Sequence, residues 1–436
     1  LRQWQFTLDS LKDFQQQLIN NNLYLNILCG DALEIFKFLK DKYNFDSVIS
    51  EQETGIKWTF ERDKKLKSFF LQNDIHWIEC AYPGVRRGHH DRNQWAKFFR
   101  KDILRYPNLP IIKQSINLGL KNYDLPKIFY DSTPCPNRQK GGSREAEKLL
   151  STFLNSRGEN YQFEMSSPIS AEKSCSRLST HLTYGTISHR SVFQEATQKK
   201  EKIQLTNKNF AKSINSFLSR LHWRSHFIQK LEDQPSIEHE SFIPVYDQIR
   251  EKDFRKLDAW IEGKTGVHFI DACMIYLRNH GWINFRMRAM LASFASYNLW
   301  LDWRYFGPRL AALFTDFEPG IHYSQLQMQS GTTGINTIRM YNPYKQALDQ
   351  DPEAKFIKSQ LPEYNNFPPS FFFKPPELSN NENLFNDSKL ETIVDVTKTA
   401  KFARDKIFSI RKLPEHLKIA KNVFIRHGIR QNRLEF

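Results

Sequence analysis

No apolar run in this chain approaches the roughly 18 residues that a membrane span requires, and mean hydropathy is −0.60. Acidic residues are in deficit: 48 Asp and Glu face 63 Lys and Arg, for a net charge of +15. Cysteines number only five, Cys29, Cys80, Cys135, Cys175 and Cys273. Their odd count and wide spacing contain no CxxC pair, which excludes a zinc ribbon and a sequence-evident iron–sulfur motif. Reduced thiols and the lack of a recognisable leader predict a cytoplasmic protein, nucleoid-associated if bacterial. There is no GxGxxG, no P-loop and no HExxH, so the usual dinucleotide, nucleoside-triphosphate and zincin sites are unsupported. Internal repeats are absent as well.

What is present is chain enough for two or three domains: 436 residues, 40% apolar and 25% charged, a globular balance. The positive surplus suggests an anionic partner, nucleic acid being the commonest, against the plainer reading of a merely basic surface. Trp, Tyr and Phe number 9, 16 and 35. Such a load serves helical cores and planar ligands equally well.

Residues 1–115 read as α/β. Leu8, Leu11, Phe14 and Leu18 have helical spacing; a strand is expected at 23–28, a helix at 31–42, a strand at 47–50, a helix at 59–72 and a strand at 76–80. Alternation of this kind predicts a parallel sheet flanked by helices. Its first element is a helix, and the chain opens on Leu1 rather than Met, so an N-terminal strand is expected to be missing. Residues 116–142, with Pro126, Pro134, Pro136 and Gly141-Gly142, read as a linker. From Ser143 to Tyr305 the helical period dominates, and 143–436 reads as a large all-α second domain. Within it 362–390 reads as loop, and the tail 398–436 carries 11 Lys/Arg against 3 Asp/Glu.

Several constellations carry chemistry. His222 and His226 are spaced for a metal, but no third ligand supports them, and no metal is expected. Arg86-Arg87-Gly88-His89-His90 reads as a solvated basic turn. Ser174-Cys175-Ser176-Arg177-Leu178-Ser179-Thr180 gathers small hydroxyls before a helix, for capping or for leaving N–H groups to a phosphate. Met287, Met290, Leu291, Phe294 and Leu301 form a core stripe beside Arg286 and Arg288, for which Asp316 and Glu318 are the nearest downstream carboxylates. Arg220, Trp223 and Arg224 share a helix face. A ring between two guanidiniums suits a flat base or a phosphate backbone, and equally a surface cation–π cluster.

Taken together, these segments resemble the photolyase/cryptochrome flavoprotein family. Lys173–Ser179 is similar to its TSxLS stretch and Leu221-His222-Trp223-Arg224 to its ELxWRE helix. Trp260–Gly266 with Ile270–Met274 is similar to its WxxGxTGxPxVDAxMR signature. Gly281-Trp282 through Arg288, Leu301–Arg304, Arg339–Pro343 and Leu361–Glu363 continue the match over most of the chain. Glu53-Thr54-Gly55 with Arg62-Asp63 also resembles family members, which carry one more strand and helix ahead of the position of Leu1.

The resemblance implies an α/β antenna domain and a helical domain holding FAD, with an unidentified antenna pigment possible. It assigns Ser176, Leu178 and Ser179 to the FAD diphosphate, with Cys175 where Thr is usual, and brings Tyr161 and Arg224 near the phosphates. Arg288 and Asp316 would pair over the isoalloxazine, Glu318 would face its polar edge, and His322 would stand opposite flavin N5, where Asn is common. Arg220, Trp223 and His322 are the implied catalytic positions. Arg220, Trp223, Arg286 and Met328 are those expected to meet DNA. The family's lesion-binding Glu is here Arg220, its adenine-side Asn is Phe285, and two Trp of its pocket are Leu326 and Met328. Trp260 and Trp303 match the distal and middle members of an electron-transfer Trp triad. The proximal position is Leu326, which leaves Trp282, Trp300, Tyr297 and Tyr323 as substitutes.

Two functions follow from the resemblance. One is a blue-light-driven DNA photolyase acting as a monomer on UV-damaged DNA, in which excited, reduced FAD donates an electron to a flipped-out pyrimidine dimer. The other is a cryptochrome-like photoreceptor without repair activity. The substituted pocket leaves cyclobutane dimer, (6-4) product and no lesion all open.

Overall fold

The computed structural model describes residues 2–88, 92–106, 111–119, 135–375 and 392–428. In chain order its first elements are α1 (Arg2–Ile19), α2 (Ala32–Tyr43), β1 (Ser47–Glu51), α3 (Lys57–Gln72), β2 (His76–Cys80) and α4 (Arg92–Ile103). Asp31 starts α2 by accepting from the N–H groups of Leu33 and Glu34, and Asn44 stops it in the left-handed region. The strands pair in parallel with Val48 opposite Trp77 and Ile49 opposite Ile78, joined through α3. Leu66 and Phe70 of α3 pack with Ile75, Phe36, Phe45 and Trp77 on one side of this sheet. On the other side Ile49 is 71% exposed.

One sequence expectation changes here. The 23–28 segment is not a strand. It lies beside 115–118, but the bonds run through side chains, Ser115 Oγ accepting from Tyr24 N–H and Asn26 Oδ1 from Leu118 N–H, so no backbone ladder forms. Both ends of the 1–115 segment pack on the helical part. Arg2 of α1 donates to the carbonyls of Leu277, Arg278 and Leu313 in the helical part. Trp95 and Phe99 of α4 lie in a helical-domain core with Phe193, Phe217 and Leu221. Residues 120–134 of the expected linker lie outside the described residues. Its end is tight: a Cβ on Gly141 would come 2.3 Å from the Phe6 carbonyl of α1.

The helical domain runs through α5 (Ser143–Thr152), α6 (Tyr161–Glu164), α7 (Pro168–Ser174), α8 (Ser179–Thr183), α9 (His189–Ile203) and α10 (Lys208–Asp233). It continues with α11 (Phe254–Glu262), α12 (His268–His280), α13 (Phe285–Ser293), α14 (Trp303–Leu313), α15 (Pro319–Ser330), α16 (Pro343–Gln350) and α17 (Lys355–Gln360), and ends with α18 (Val396–Arg411) and α19 (Pro414–His427). Met287, Met290, Leu291, Phe294 and Leu301 are all buried in one core with Trp260, Trp303 and Phe306. The Asp271 carboxylate accepts from Thr265 N–H, Thr265 Oγ and Gly266 N–H, which fixes the turn ahead of α12. The long α10 crosses α15 closely: a Cβ on Gly320 would sit 2.5 Å from Ile228 Cα. That crossing brings the middle of α10 beside the N-terminus of α15 and positions the site.

Candidate functional site

Arg224 projects inward from α10, where a charge must be partnered. Its Nη2 donates to Glu318 Oε2 at 2.8 Å, just ahead of α15, and to the Leu182 carbonyl of α8 at 3.2 Å. Burial works to lower the Arg224 pKa, but Tyr82 and Glu318 outweigh it and hold the guanidinium charged. Burial likewise raises the Glu318 pKa, against the pull of Arg224. On the adjoining α13, Arg288 donates from Nη2 to Asp316 Oδ2 at 2.8 Å and from Nε to the Ile283 carbonyl at 2.7 Å. Its guanidinium lies 4.1 Å over the Phe314 ring. Two arginine–carboxylate pairs thus converge at the start of α15.

The 174–180 segment faces them. Ser176 Oγ accepts from Leu178 N–H at 3.4 Å, while α8 begins without a side-chain cap. The Ser179, Thr180 and Thr183 hydroxyls and Asp316 Oδ1 are buried with no hydrogen-bond partner among the described residues. Capping therefore does not account for these hydroxyls. Leu178 is fully buried beneath them. Cys175 is half-buried, and desolvation of its thiol pushes the pKa up to about 12 against the pull of Arg177, Arg157, Arg220 and Arg288. Arg157 ties the segment down by donating to the carbonyls of Lys173 and Cys175, each at 2.7 Å. Arg177 takes φ +63°, rare for a side-chain-bearing residue, and stacks its guanidinium 3.7 Å over Trp282. The four guanidiniums that act on Cys175 and the unpaired hydroxyls a few residues on are donors of the kind a diphosphate takes, so the donor set suits FAD.

The outer residues are arranged differently from the sequence expectation. Trp223 does not lie between two guanidiniums: Arg224 turns inward, and Trp223 stacks on Phe227 at 5.7 Å with His226 edge-on at 5.1 Å. Arg220 is exposed, lies 5.9 Å over Phe285 and hydrogen-bonds the buried Tyr161. Arg286 is half-buried with Nε unpartnered among the described residues, and Met328 is half-buried on α15. His322 bonds the Gly307 carbonyl through Nε2 at 2.9 Å; burial lowers its pKa to about 4, opposed by that bond, so it is neutral at pH 7 with Nδ1 left as an acceptor.

Leu326 is buried and abuts Gly307, leaving no ring at that point. Trp260 meets Phe306 edge-on at 5.5 Å, and Trp303 donates to Ser241 Oγ with Tyr323 6.3 Å away. Of the substitutes considered, Tyr323 neighbours both Trp303 and His322. Trp300 and Tyr297 instead flank Arg250, at 5.0 and 5.8 Å, and Trp282 lies under Arg177.

Sequence reasoning missed the seam between the two domains. The segment after β2 runs along α10. The Tyr82 hydroxyl lies 3.1 Å from Arg224 Nη2, the Pro83 carbonyl accepts from Ser225 Oγ at 3.3 Å, and Arg86 exchanges two bonds with Gln229. Arg87 pairs with Glu232 at 2.9 Å and Glu79 at 3.5 Å. The expected solvated turn is therefore a domain contact at Arg86-Arg87, while His89 and His90 lie outside the described residues. His222 and His226 pack on Trp95 at 5.0 and 5.6 Å, and no group of three or more His, Cys, Asp or Glu among the described residues is arranged for a metal. Nor is any helix among the described residues long and apolar enough to cross a membrane.

Residues 217–408 match the profile of the FAD binding domain of DNA photolyase. A curated relative, the deoxyribodipyrimidine photo-lyase of Halobacterium salinarum, is 29% identical over 269 residues, 58% of this chain and 55% of that one. The chain spans about half the length of the first curated relatives it matches. The crystal structure of an archaeal photolyase from Sulfolobus tokodaii with two FAD molecules superposes with TM-score 0.75 at 25% identity, covering 93% of this chain and 88% of that one. The Synechocystis cryptochrome shares the fold with TM-score 0.81 at 19% identity, over 93% of this chain and 88% of that one.

Proposed function

We propose, for a chain that belongs to the photolyase/cryptochrome flavoprotein family, that it is an FAD-dependent, blue-light-driven DNA photolyase acting on UV-induced pyrimidine dimers. The observation that carries this reading is the convergence of the Arg288–Asp316 and Arg224–Glu318 pairs, each closed at 2.8 Å, on the unpaired hydroxyls of 179–183. When bound, FAD supplies the light-absorbing electron donor. The protein supplies the setting. Ser176, Ser179 and the N–H groups at Leu178 and Ser179 would hold the diphosphate, with Cys175 contributing no hydroxyl. Arg288, fixed on Asp316, presents a positive charge that favours an anionic, reduced ring. His322, neutral and donating through Nε2 to Gly307, offers an acceptor at Nδ1. Burial of the Glu318 and Asp316 carboxylates keeps water from the pairs that orient the ring. Trp223 offers a stacking face to an extruded base, and Arg220 with Arg286 offers donors to its carbonyls or to phosphate. The net charge of +15 favours the DNA backbone.

A cryptochrome-like photoreceptor is the second reading, favoured by one observation: Arg220 caps Phe285 and Trp223 lies against Phe227, so the pocket mouth is lined with cation and ring where the family offers a carboxylate. The separating experiment gives the purified, reduced protein oligonucleotides carrying a cyclobutane dimer or a (6-4) product and follows lesion loss under blue light by chromatography. Light-dependent loss of one lesion is expected and names the substrate. Persistence of both, with FAD bound, overturns repair in favour of light sensing.

A further inference from the structure

The N-terminal unit reaches the Arg224–Glu318 pair through the Tyr82 hydroxyl, and the charges of Glu51 and Glu53 also act on that pair. It lies 3.3 Å from Arg224 Nε and 3.1 Å from Arg224 Nη2, so it accepts along one edge of the guanidinium. The same Nη2 carries the 2.8 Å bond to Glu318 and the 3.2 Å bond to the Leu182 carbonyl. Arg224 is thus held from three directions, by α8, by the start of α15 and, across the domain seam, by Tyr82. The tyrosine cannot swing clear. The next residue, Pro83, is bonded to Ser225, and Gly84 N–H donates to Asp102 Oδ2 at 2.9 Å. A Cβ on Gly84 would meet the Phe99 ring at 2.6 Å, so the segment is pinned against α4 and α10.

A guanidinium that loses its acceptor on one edge has a buried N–H left unpaired, and it turns to recover a partner. Turning about the Arg224 side chain moves Nη2, the one nitrogen that neutralises Glu318. We propose that Tyr82 is a positioning residue: its hydroxyl sets the Arg224 orientation that keeps the Glu318 charge compensated, and so couples the N-terminal unit to the electrostatics at the polar edge of the flavin. This rests on the flavin reading above and adds to it a residue from outside the helical domain.

The test uses the full chain loaded with FAD and the Tyr82→Phe substitution, which keeps the ring and removes only the oxygen. The flavin midpoint potential is read by spectroelectrochemistry and FAD affinity by fluorescence titration. In Tyr82→Phe the uncompensated Glu318 charge opposes electron uptake, so the potential moves negative and FAD binding weakens about tenfold. In a Glu318→Gln background there is no charge to expose, and adding Tyr82→Phe moves the potential no further. A purely structural tyrosine would lower thermal stability and leave the potential alone. An unchanged potential in Tyr82→Phe overturns the role of Tyr82, as does an equal shift in both backgrounds. Wild-type protein that retains no flavin overturns the flavin reading as well, which separates the two failures.

Discussion

Replacing Lys230 with Met is expected to stabilise the protein, although it deletes a charge from the interior. Lys230 sits on α10 and is only 8% exposed, between the rings of Phe227 at 5.4 Å and Phe242 at 5.9 Å. Arg92 stands nearby, paired with Asp233 at 3.5 Å, while burial holds the neighbouring His226 and His427 neutral at pH 7. Burial, with Arg92 adding to it, lowers the Lys230 pKa from 10.5 to about 7. At about 1.4 kcal/mol per pH unit this displacement sets a ceiling of about 5 kcal/mol on the cost of keeping the charge in place. Hydrophobic replacements of buried ions return about 1–4 kcal/mol. The sign follows from proton counting. Between pH 7 and 10.5 the unfolded lysine holds its proton and the folded one has released it. The Lys230 contribution therefore makes stability climb with pH across that window, and it is least favourable below pH 7. Urea unfolding of wild type and Lys230→Met at pH 7 and pH 10, followed by circular dichroism, should show a variant more stable by about 1–4 kcal/mol at pH 7 and a gap that closes towards pH 10. Other groups titrate alike in both proteins and cancel. A variant less stable than wild type at pH 7, or a gap independent of pH, would refute the reasoning.

Arg288→Ala leaves the Asp316 carboxylate buried and unpaired and should abolish FAD retention; a purified variant with the full flavin absorbance of wild type sinks the assigned pair. Trp223→Ala removes a half-buried ring at the mouth and should weaken lesion-oligonucleotide binding by about tenfold while FAD stays bound. Unaltered binding in a gel-shift titration would mean that the pocket lies elsewhere.

The helical domain was readable because its signal is local. Met287, Met290 and Leu291 repeat at the helical period along α13 and are buried; Phe294 and Leu301 are buried too, but lie past the end of that helix, Leu301 bridging Glu251. The segment 23–28 failed for the converse reason: strand-like composition says nothing about whether a neighbour offers a ladder, and here the neighbour bonds through Asn26 and Ser115. At the site, the identities of Arg224, Arg288, Asp316 and Glu318 were legible, as was the nearness of carboxylates to arginines. The orientation was not. Helical spacing placed Arg224 beside Trp223 on one face, but a buried carboxylate outcompeted the ring and drew the guanidinium inward. Tyr82 and Arg87 lay beyond reach because their partners are 142 and 145 residues away, and no periodicity links such positions. That the Ser179 and Thr180 hydroxyls stay unpaired was not legible, because it depends on α8 being only five residues long and uncapped by a side chain.

The crossing of α10 and α15 at Gly320 makes position 320 intolerant of substitution in a particular way. The obstacle there is Ile228 Cα, main chain rather than a side chain that could rotate aside. Any added methyl must therefore be accommodated by driving two helices apart. Arg224 lies one helical turn before Ile228, and Glu318 lies two residues before Gly320. A wedge at the crossing would consequently be felt as a lengthening of their pair before it was felt as a loss of fold. Random variation at this position would then yield folded chains with an altered cofactor environment, so the smallest side chain in the site's vicinity acts as the ruler against which its charges are spaced.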